Sequence, residues 1–314
     1  MKIIQIDGGL GRSLCAIPAI EDTSKKDEVY VISAYPEIWF NNPNISRVYN
    51  LGREYIWEDV ISKGEYFQPE PYHDFLYYTQ KHHLIENFSY LINKESKFSR
   101  PNLYLNPEED EFGRSYIADL KRISNKKVVV FQPFGASSVF KLANMMDSLH
   151  PSMKFSGNPA FDSLKDMPPI YEIIDSSYRS LSYKLALDIV DANQDIIFVN
   201  MTYHPLDRLN VVNAKLPNRQ WFSIVKYCDF ILGVDSCLQH ISYIFNKPGI
   251  VLYGPTFIEN VGYKDHFINI QREGYPKKYF PCRFGDSPKE NKDALNFTKE
   301  EVQNILDKIN TFKK

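Results

Sequence analysis

The 314-residue sequence contains no apolar run long enough to span a membrane, which takes about 18 residues. Its opening stretch, MKIIQIDGGLGRSLC, is too briefly apolar for a secretory signal, so a cytoplasmic protein is expected. Cysteine is scarce: Cys15, Cys228, Cys237 and Cys282 stand alone, with no C-x-x-C spacing. Reduced thiols are therefore expected, rather than a disulfide framework or a zinc site. Charge of one sign is lacking too, since 37 basic residues balance 39 acidic ones to a net −2. No basic domain advertises a nucleic-acid partner, and any such contact would need a local patch. A P-loop, a catalytic triad, a paired-carboxylate hydrolase signature and a metal-ligand cluster are all missing, so neither metal nor cofactor is expected. His82-His83 by itself is poor evidence for a metal site.

What the chain does have is aromatic side chains, 21 tyrosines and 21 phenylalanines against three tryptophans. With abundant Lys, Asn and Ile, this composition echoes an AT-rich genome such as a phage carries. Strand-like runs alternate with helical ones. KIIQID (2–7), EVYVIS (28–33) and SRVYNL (46–51) read as strands, with a helix starting at Ser13. The polar stretch NPEEDEFG precedes a helix over 114–123, and KKVVVFQPFG (126–135) opens a new strand–loop unit. Residues 136–177 are proline-bearing and without period, which suggests a long functional loop or an insertion. Helical spacing over 177–194 leads to a strand at 195–201, then a helix at 219–228 and a strand at 229–234. The last helix begins at Thr298, with Glu301 completing a capping box. The alternation predicts two doubly wound α/β domains, 1–125 and 126–297, followed by a C-terminal helix over 298–314.

The most informative stretch is GVDSCLQHISYIFNKPGIVLYGPT, residues 233–256. If its two apolar runs are neighbouring parallel strands, the segment between them is a right-handed crossover helix. Ser236 is the expected N-cap, Leu238, Ile241, Ile244 and Phe245 the buried stripe, and Asn246 a left-handed stop reinforced by Pro248. Such a helix starts at the carboxyl edge of its sheet, where ligands of open α/β folds bind. Free N–H groups of Ser236, Cys237 and Leu238 would face an anion, with His240 adding a donor one turn on. The same residues also read as an ordinary capped helix with His240 satisfied at the surface. A second tight loop, GPT, at the same edge favours the cradle.

This D-S-C-L-Q-H run, followed by K-P, a strand and G-P-T, resembles glycosyltransferases of the heptosyltransferase type, glycosyltransferase family 9. Gly8-Gly9-Leu10-Gly11-Arg12 followed by Pro18-Ala19, the late Cys282 and the FTKEEV helix also fall where that family has counterparts. The resemblance implies the GT-B fold: two Rossmann-like domains facing each other across a cleft, with acceptor on the first and nucleotide-sugar on the second. It implies a sugar transfer from a nucleotide-diphosphate sugar to an acceptor hydroxyl, inverting and independent of metal. Asp235, Ser236, Cys237, Leu238 and His240 would hold the donor, joined by Ser137, Ser138, Lys141 and Arg179. A helix N-terminus gives an anion only about 0.3–1 kcal/mol, against roughly 8 kcal/mol or more for an enzyme, so cations and hydroxyls must share the work.

One departure is sharp. Where the family's N-terminal loop carries its acid, this chain has Arg12, which stays protonated and cannot be a general base. Arg12 would instead clamp a phosphate, and three explanations stay open. Asp7 at the strand end serves as base; or Asp74 or His73, from PYHDFLYYTQKHH, reaches the site; or catalysis is lost and the chain only binds nucleotide. The glycines Gly9 and Gly11 permit close approach of a ligand to the backbone, and Tyr77 and Tyr78 are stacking faces for an acceptor. A cell-surface glycan, glycolipid or lipopolysaccharide core is the acceptor the resemblance implies. The composition and the aromatic segment keep a hydroxymethylated phage DNA base in view.

Overall fold

The computed structural model describes residues 1–135, 179–202, 204–277 and 293–313. Ser137, Ser138, Lys141 and Cys282 lie outside the described residues.

The N-terminal half contains β1 (Lys2–Ile6), α1 (Leu10–Ser24), β2 (Val29–Ser33), β3 (Arg47–Asn50), α2 (Ile56–Asp59), β4 (Glu65–Phe67), α3 (Phe75–Tyr78), α4 (Leu84–Asn93) and α5 (Pro107–Ser124). Its four strands are parallel in the order β3-β2-β1-β4. The C-terminal half contains β5 (Lys127–Gln132), α6 (Tyr183–Asp191), β6 (Ile196–Asn200), β7 (Val211–Asn213), α7 (Asn218–Tyr227), β8 (Phe230–Val234), α8 (Cys237–Ile244), β9 (Gly249–Tyr253), α9 (Ile258–Val261), β10 (Ile268–Gln271) and α10 (Lys299–Thr311). Six parallel strands run β10-β9-β8-β5-β6-β7. Two parallel sheets with helical crossovers are the architecture the alternation predicts. The central strands are buried throughout, β8 and β9 without exception, as expected when helices cover both faces.

Several element starts differ from expectation, each for a local reason. The helix α1 begins at Leu10 rather than Ser13, directly off the loop glycine Gly9. The polar stretch before residue 114 does not precede the helix but forms the first turns of α5. Asn106 and Glu109 form a reciprocal capping box there, and Pro107 occupies the first turn, where its missing N–H costs nothing. Of the helical stretch over 177–194, the described helix is α6, capped by Ser182, whose hydroxyl accepts from the Leu185 N–H. The last helix forms as read, with Thr298 and Glu301 in a capping box. Its Ile305 and Ile309 are fully buried on the second sheet, and Phe312 stacks on Phe230 at 4.9 Å.

The largest apolar cluster spans both sheets, while smaller ones stay within each half. Ile4, Leu14 and Ile17 from the first half join Val130, Phe222 and Leu238 from the second in one buried cluster. Helix α5 lies against α7 so closely that a Cβ on Gly113 would stand 2.4 Å from the Ser223 backbone. Arg219, buried at that seam, bonds both Glu109 oxygens and the carbonyls of Glu37 and Tyr104. The carboxyl ends of β1 and β8 consequently face each other, with α1 packed on α8.

Candidate functional site

At the end of β1 the chain turns through Asp7, Gly8 and Gly9. Gly8 takes a left-handed φ of 87°, open to glycine at little cost, and the turn folds over the Arg12 side chain. Arg12 is 4% exposed and is held at both terminal nitrogens. Its Nη2 lies 3.3 Å from Asp7 Oδ1 and donates to the Pro69 carbonyl at 2.9 Å, while Nη1 donates to both Glu70 oxygens at 3.2 Å. The rings of Tyr72 and Phe88 flank the guanidinium at 5.2 and 5.8 Å. Burial lowers its pKa, opposed by the nearby Tyr72 and Asp7. Arg12 is thus a bracket for two carboxylates, and a side chain so occupied is not poised to clamp a phosphate. Glu70, 58 residues away in sequence, is the functional group that sequence reasoning missed.

Asp7 is half-buried, with its second oxygen accepting from Gln68 Nε2 at 3.2 Å. Asp74 has a different occupation. Its Oδ1 caps α3 by accepting from the Leu76 and Tyr77 N–H groups, and it also takes a 2.7 Å bond from Asn87. As a capping carboxylate it is engaged in structure and does not reach the site as a base. His73 is exposed on the neighbouring turn. Tyr77 is 2% exposed and packs edge-on to Tyr72, so it offers no free stacking face, whereas Tyr78 is open to solvent. The structure does not gather His73, Tyr77 and Tyr78 into one acceptor surface.

On the opposite edge, Asp235 directly follows β8, and α8 begins after Ser236. The Ser236 hydroxyl makes no capping bond to the helix. Of the three amides expected to face an anion, Leu238 N–H is already taken: Gln132 Oε1, from the end of β5, accepts it at 3.1 Å. Among the described residues the Ser236 and Cys237 N–H groups donate to no carbonyl of another residue, leaving two amides at the start of α8. Asp235 is 6% exposed and does not point outward. Its oxygens accept from Gln239 and from Thr256 of the GPT loop, each at 2.5 Å, and Gln239 in turn accepts from Tyr253. Asp235 therefore ties the loops after β8 and β9 together and fixes the start of α8. Arg179 donates to the Asp235 carbonyl at 2.7 Å, which sets a guanidinium beside those two amides. It arrives there because 179–181 pairs back against 133–135, with Gly135 pressed so close that a Cβ would meet the Arg179 carbonyl at 2.6 Å.

His240 departs most from expectation. It is 5% exposed, with the Tyr263 hydroxyl 2.7 Å and the Cys15 thiol 3.4 Å from Nδ1. Burial, reinforced by the charge of Arg179, pushes its pKa down to about 3, so the ring is neutral at any ordinary pH. A neutral imidazole packed on Gly11 seals the seam between the two halves; it is not a cationic donor. The glycine is required there, because a Cβ at position 11 would stand 2.6 Å from His240 Cδ2. Gly11 thus admits the other half of the chain rather than an acceptor, while Gly9 stays exposed at the loop. Cys15, buried in the same contact, has its thiol pKa raised by burial.

Two parallel-stranded α/β units whose carboxyl edges oppose each other define the GT-B class of fold. No family model matches the chain, and no curated protein matches it in sequence. Solved structures do match over nearly the whole length. The glycosyl transferase family 9 protein of Veillonella parvula superposes with a TM-score of 0.61 at 11% identity, covering 98% of this chain and 97% of its own. E. coli ADP-heptose lipopolysaccharide heptosyltransferase II gives 0.60 at 11% identity, covering 99% and 98%. E. coli heptosyltransferase WaaC with ADP gives 0.55 at 12%, covering 100% and 99%. Identities this low establish the fold. No helix among the described residues is long and apolar enough to cross a membrane, and no three His, Cys, Asp or Glu side chains there converge as metal ligands.

Proposed function

We propose that the chain is a glycosyltransferase that moves a sugar from a nucleotide-diphosphate sugar to an acceptor hydroxyl. One observation carries this reading. The starts of α1 and α8 meet where Gly11 packs on Cys237 and His240, so a braced carboxylate, Asp7, stands on one side of that seam and two undonated helix-start amides, Ser236 and Cys237, stand beside Arg179 on the other. In this reading the diphosphate lies at those amides and Arg179, which take up the negative charge that grows on the departing nucleotide. Asp7 accepts the acceptor's proton, a role worth typically about 10²–10⁴-fold. The acceptor oxygen attacks the anomeric carbon opposite the leaving group, so configuration inverts. Asp7 stands in for the acid that position 12 lacks, and Arg12 holds it in place.

The solved ADP-bound and ADP-heptose-acting structures of the same fold make ADP-sugars the first donors to try. Acceptors of the cell-surface or lipopolysaccharide-core kind follow from the same likeness. A DNA acceptor and a binding-only module gain no observation in their favour. The test is incubation with ADP-, UDP-, GDP- and CDP-linked sugars, with release of nucleoside diphosphate as the readout. The proposal expects one donor class to be cleaved, slowly to water and faster with acceptor, at a rate unaffected by EDTA. Failure of every donor to be bound or cleaved would overturn it.

A further inference from the structure

Strand β4 pairs with β1 in the register Ile3↔Tyr66 and Ile4↔Phe67. Alternation then puts Tyr66 on the face of Ile3 and Gln5, while Phe67 turns to the opposite face and packs on the main core. The alternation continues past the strand. The Tyr66 hydroxyl lies 3.0 Å from Gln5 Oε1 and 3.3 Å from Gln68 Oε1, its single proton shared between them. Gln68 donates to Asp7 Oδ2 at 3.2 Å, and Glu70 is bridged to Asp7 through Arg12. Residues 66, 68 and 70 of one segment thus meet residues 5 and 7 of its neighbour in a continuous polar row. Tyr66 and Gln68 are exposed, and the row ends at the carboxyl edge where α1 meets α8.

We propose that Tyr66, Gln68 and Glu70 form, with Asp7, a ledge that binds the hydroxyl groups of a saccharide acceptor. The chemistry fits: a phenol, an amide and the Asp7 carboxylate alternate donors with acceptors, as a ring of vicinal hydroxyls requires, beside one aromatic face for a sugar ring to cover, while Glu70, held by Arg12 and the Tyr72 N–H, closes the inner end of the row. The ledge lies next to the base assigned above, so an acceptor held along it presents a hydroxyl to Asp7. This assignment gives the acceptor a site other than the segment 73–78, whose Asp74 and Tyr77 are consumed in holding α3. Its catalytic part rests on the sugar-transfer reading; its binding part does not.

Saturation-transfer NMR with methyl glycosides of glucose, galactose and mannose as probes separates the two. The wild-type chain is expected to transfer saturation to at least one glycoside. Gln68→Ala and Glu70→Gln should reduce that transfer at least fivefold, and Trp57→Ala, an exposed aromatic elsewhere, should leave it unchanged. Thermal melting checks folding; should Glu70→Gln unfold by loosening Arg12, Gln68→Ala, whose partners are Tyr66 and Asp7, decides alone. No transfer to the wild type, or equal transfer to wild type and Gln68→Ala, overturns the ledge. Glycoside binding without cleavage of any nucleotide sugar would leave the ledge standing and remove the sugar-transfer reading.

Discussion

At position 11 the chain has room for a hydrogen and nothing more. Gly11→Ala drives a methyl group to 2.6 Å from the His240 ring and should cost about 1–3 kcal/mol, read as a lowered midpoint of urea unfolding. A variant as stable as the wild type would show that α1 and α8 are not packed as described. His240 and its neighbour His83 carry a second prediction. Burial puts both near 3 in the folded state, against 6.5 for the free side chain. Above pH 6.5 both are neutral folded or unfolded and contribute no pH dependence. As pH falls from 6.5 toward 3 the unfolded chain takes up protons that the folded chain refuses, so stability declines, by up to about 1.4 kcal/mol per pH unit for each histidine. Urea midpoints measured at pH 7.5, 6 and 5 check this, and His83→Gln should flatten the slope. Neither environment is visible in the sequence, where His240 reads as a donor to an anion and His83 only as half of an unconvincing metal pair. Their burial depends on packing between segments over 150 residues apart.

At the scale of elements, α7 is fastened to α5 by Arg219, whose guanidinium reaches Glu109 and two backbone carbonyls. Arg219→Ala takes a buried guanidinium away from Glu109 and two carbonyls and should destabilise by about 1–3 kcal/mol. Thermal unfolding of the variant gives the answer, a loss under 1 kcal/mol being the contradiction. Most elements of this kind were legible. Buried runs such as FILGV and GIVLY are long enough and apolar enough to be strands in almost any context, and local caps such as Thr298 with Glu301 carry their own signature. The short strands β4, β7 and β10 were not legible, because three or four half-exposed residues take their conformation from the neighbour they pair with. The start of α5 was concealed by its charge, although Asn106, Pro107 and Glu109 spelled a helix start. The site was half legible: Asp7, Arg12, Asp235 and Ser236 stood out. Gln68 and Glu70 did not, since only the pairing of β4 with β1 brings them to Asp7.

For the whole molecule, a core cluster continuous from Ile4 to Leu238 predicts that the two halves unfold together. Calorimetry should show one cooperative transition, and two separated transitions would contradict the shared core. In the sugar-transfer reading the site is assembled by the packing of the two edges, and Asp7→Asn should lower the rate of transfer by about 10²–10⁴-fold while leaving nucleotide affinity intact. The account as a whole turns on what the start of α8 binds. The most direct measurement is the amide NMR spectrum of the ¹⁵N-labelled chain titrated with ADP, UDP, GDP and CDP in turn. One of these nucleotides should saturate, with the largest shifts at the Ser236 and Cys237 N–H groups. A saturating nucleotide that leaves those two amides unmoved, or no binding by any of the four, would contradict it.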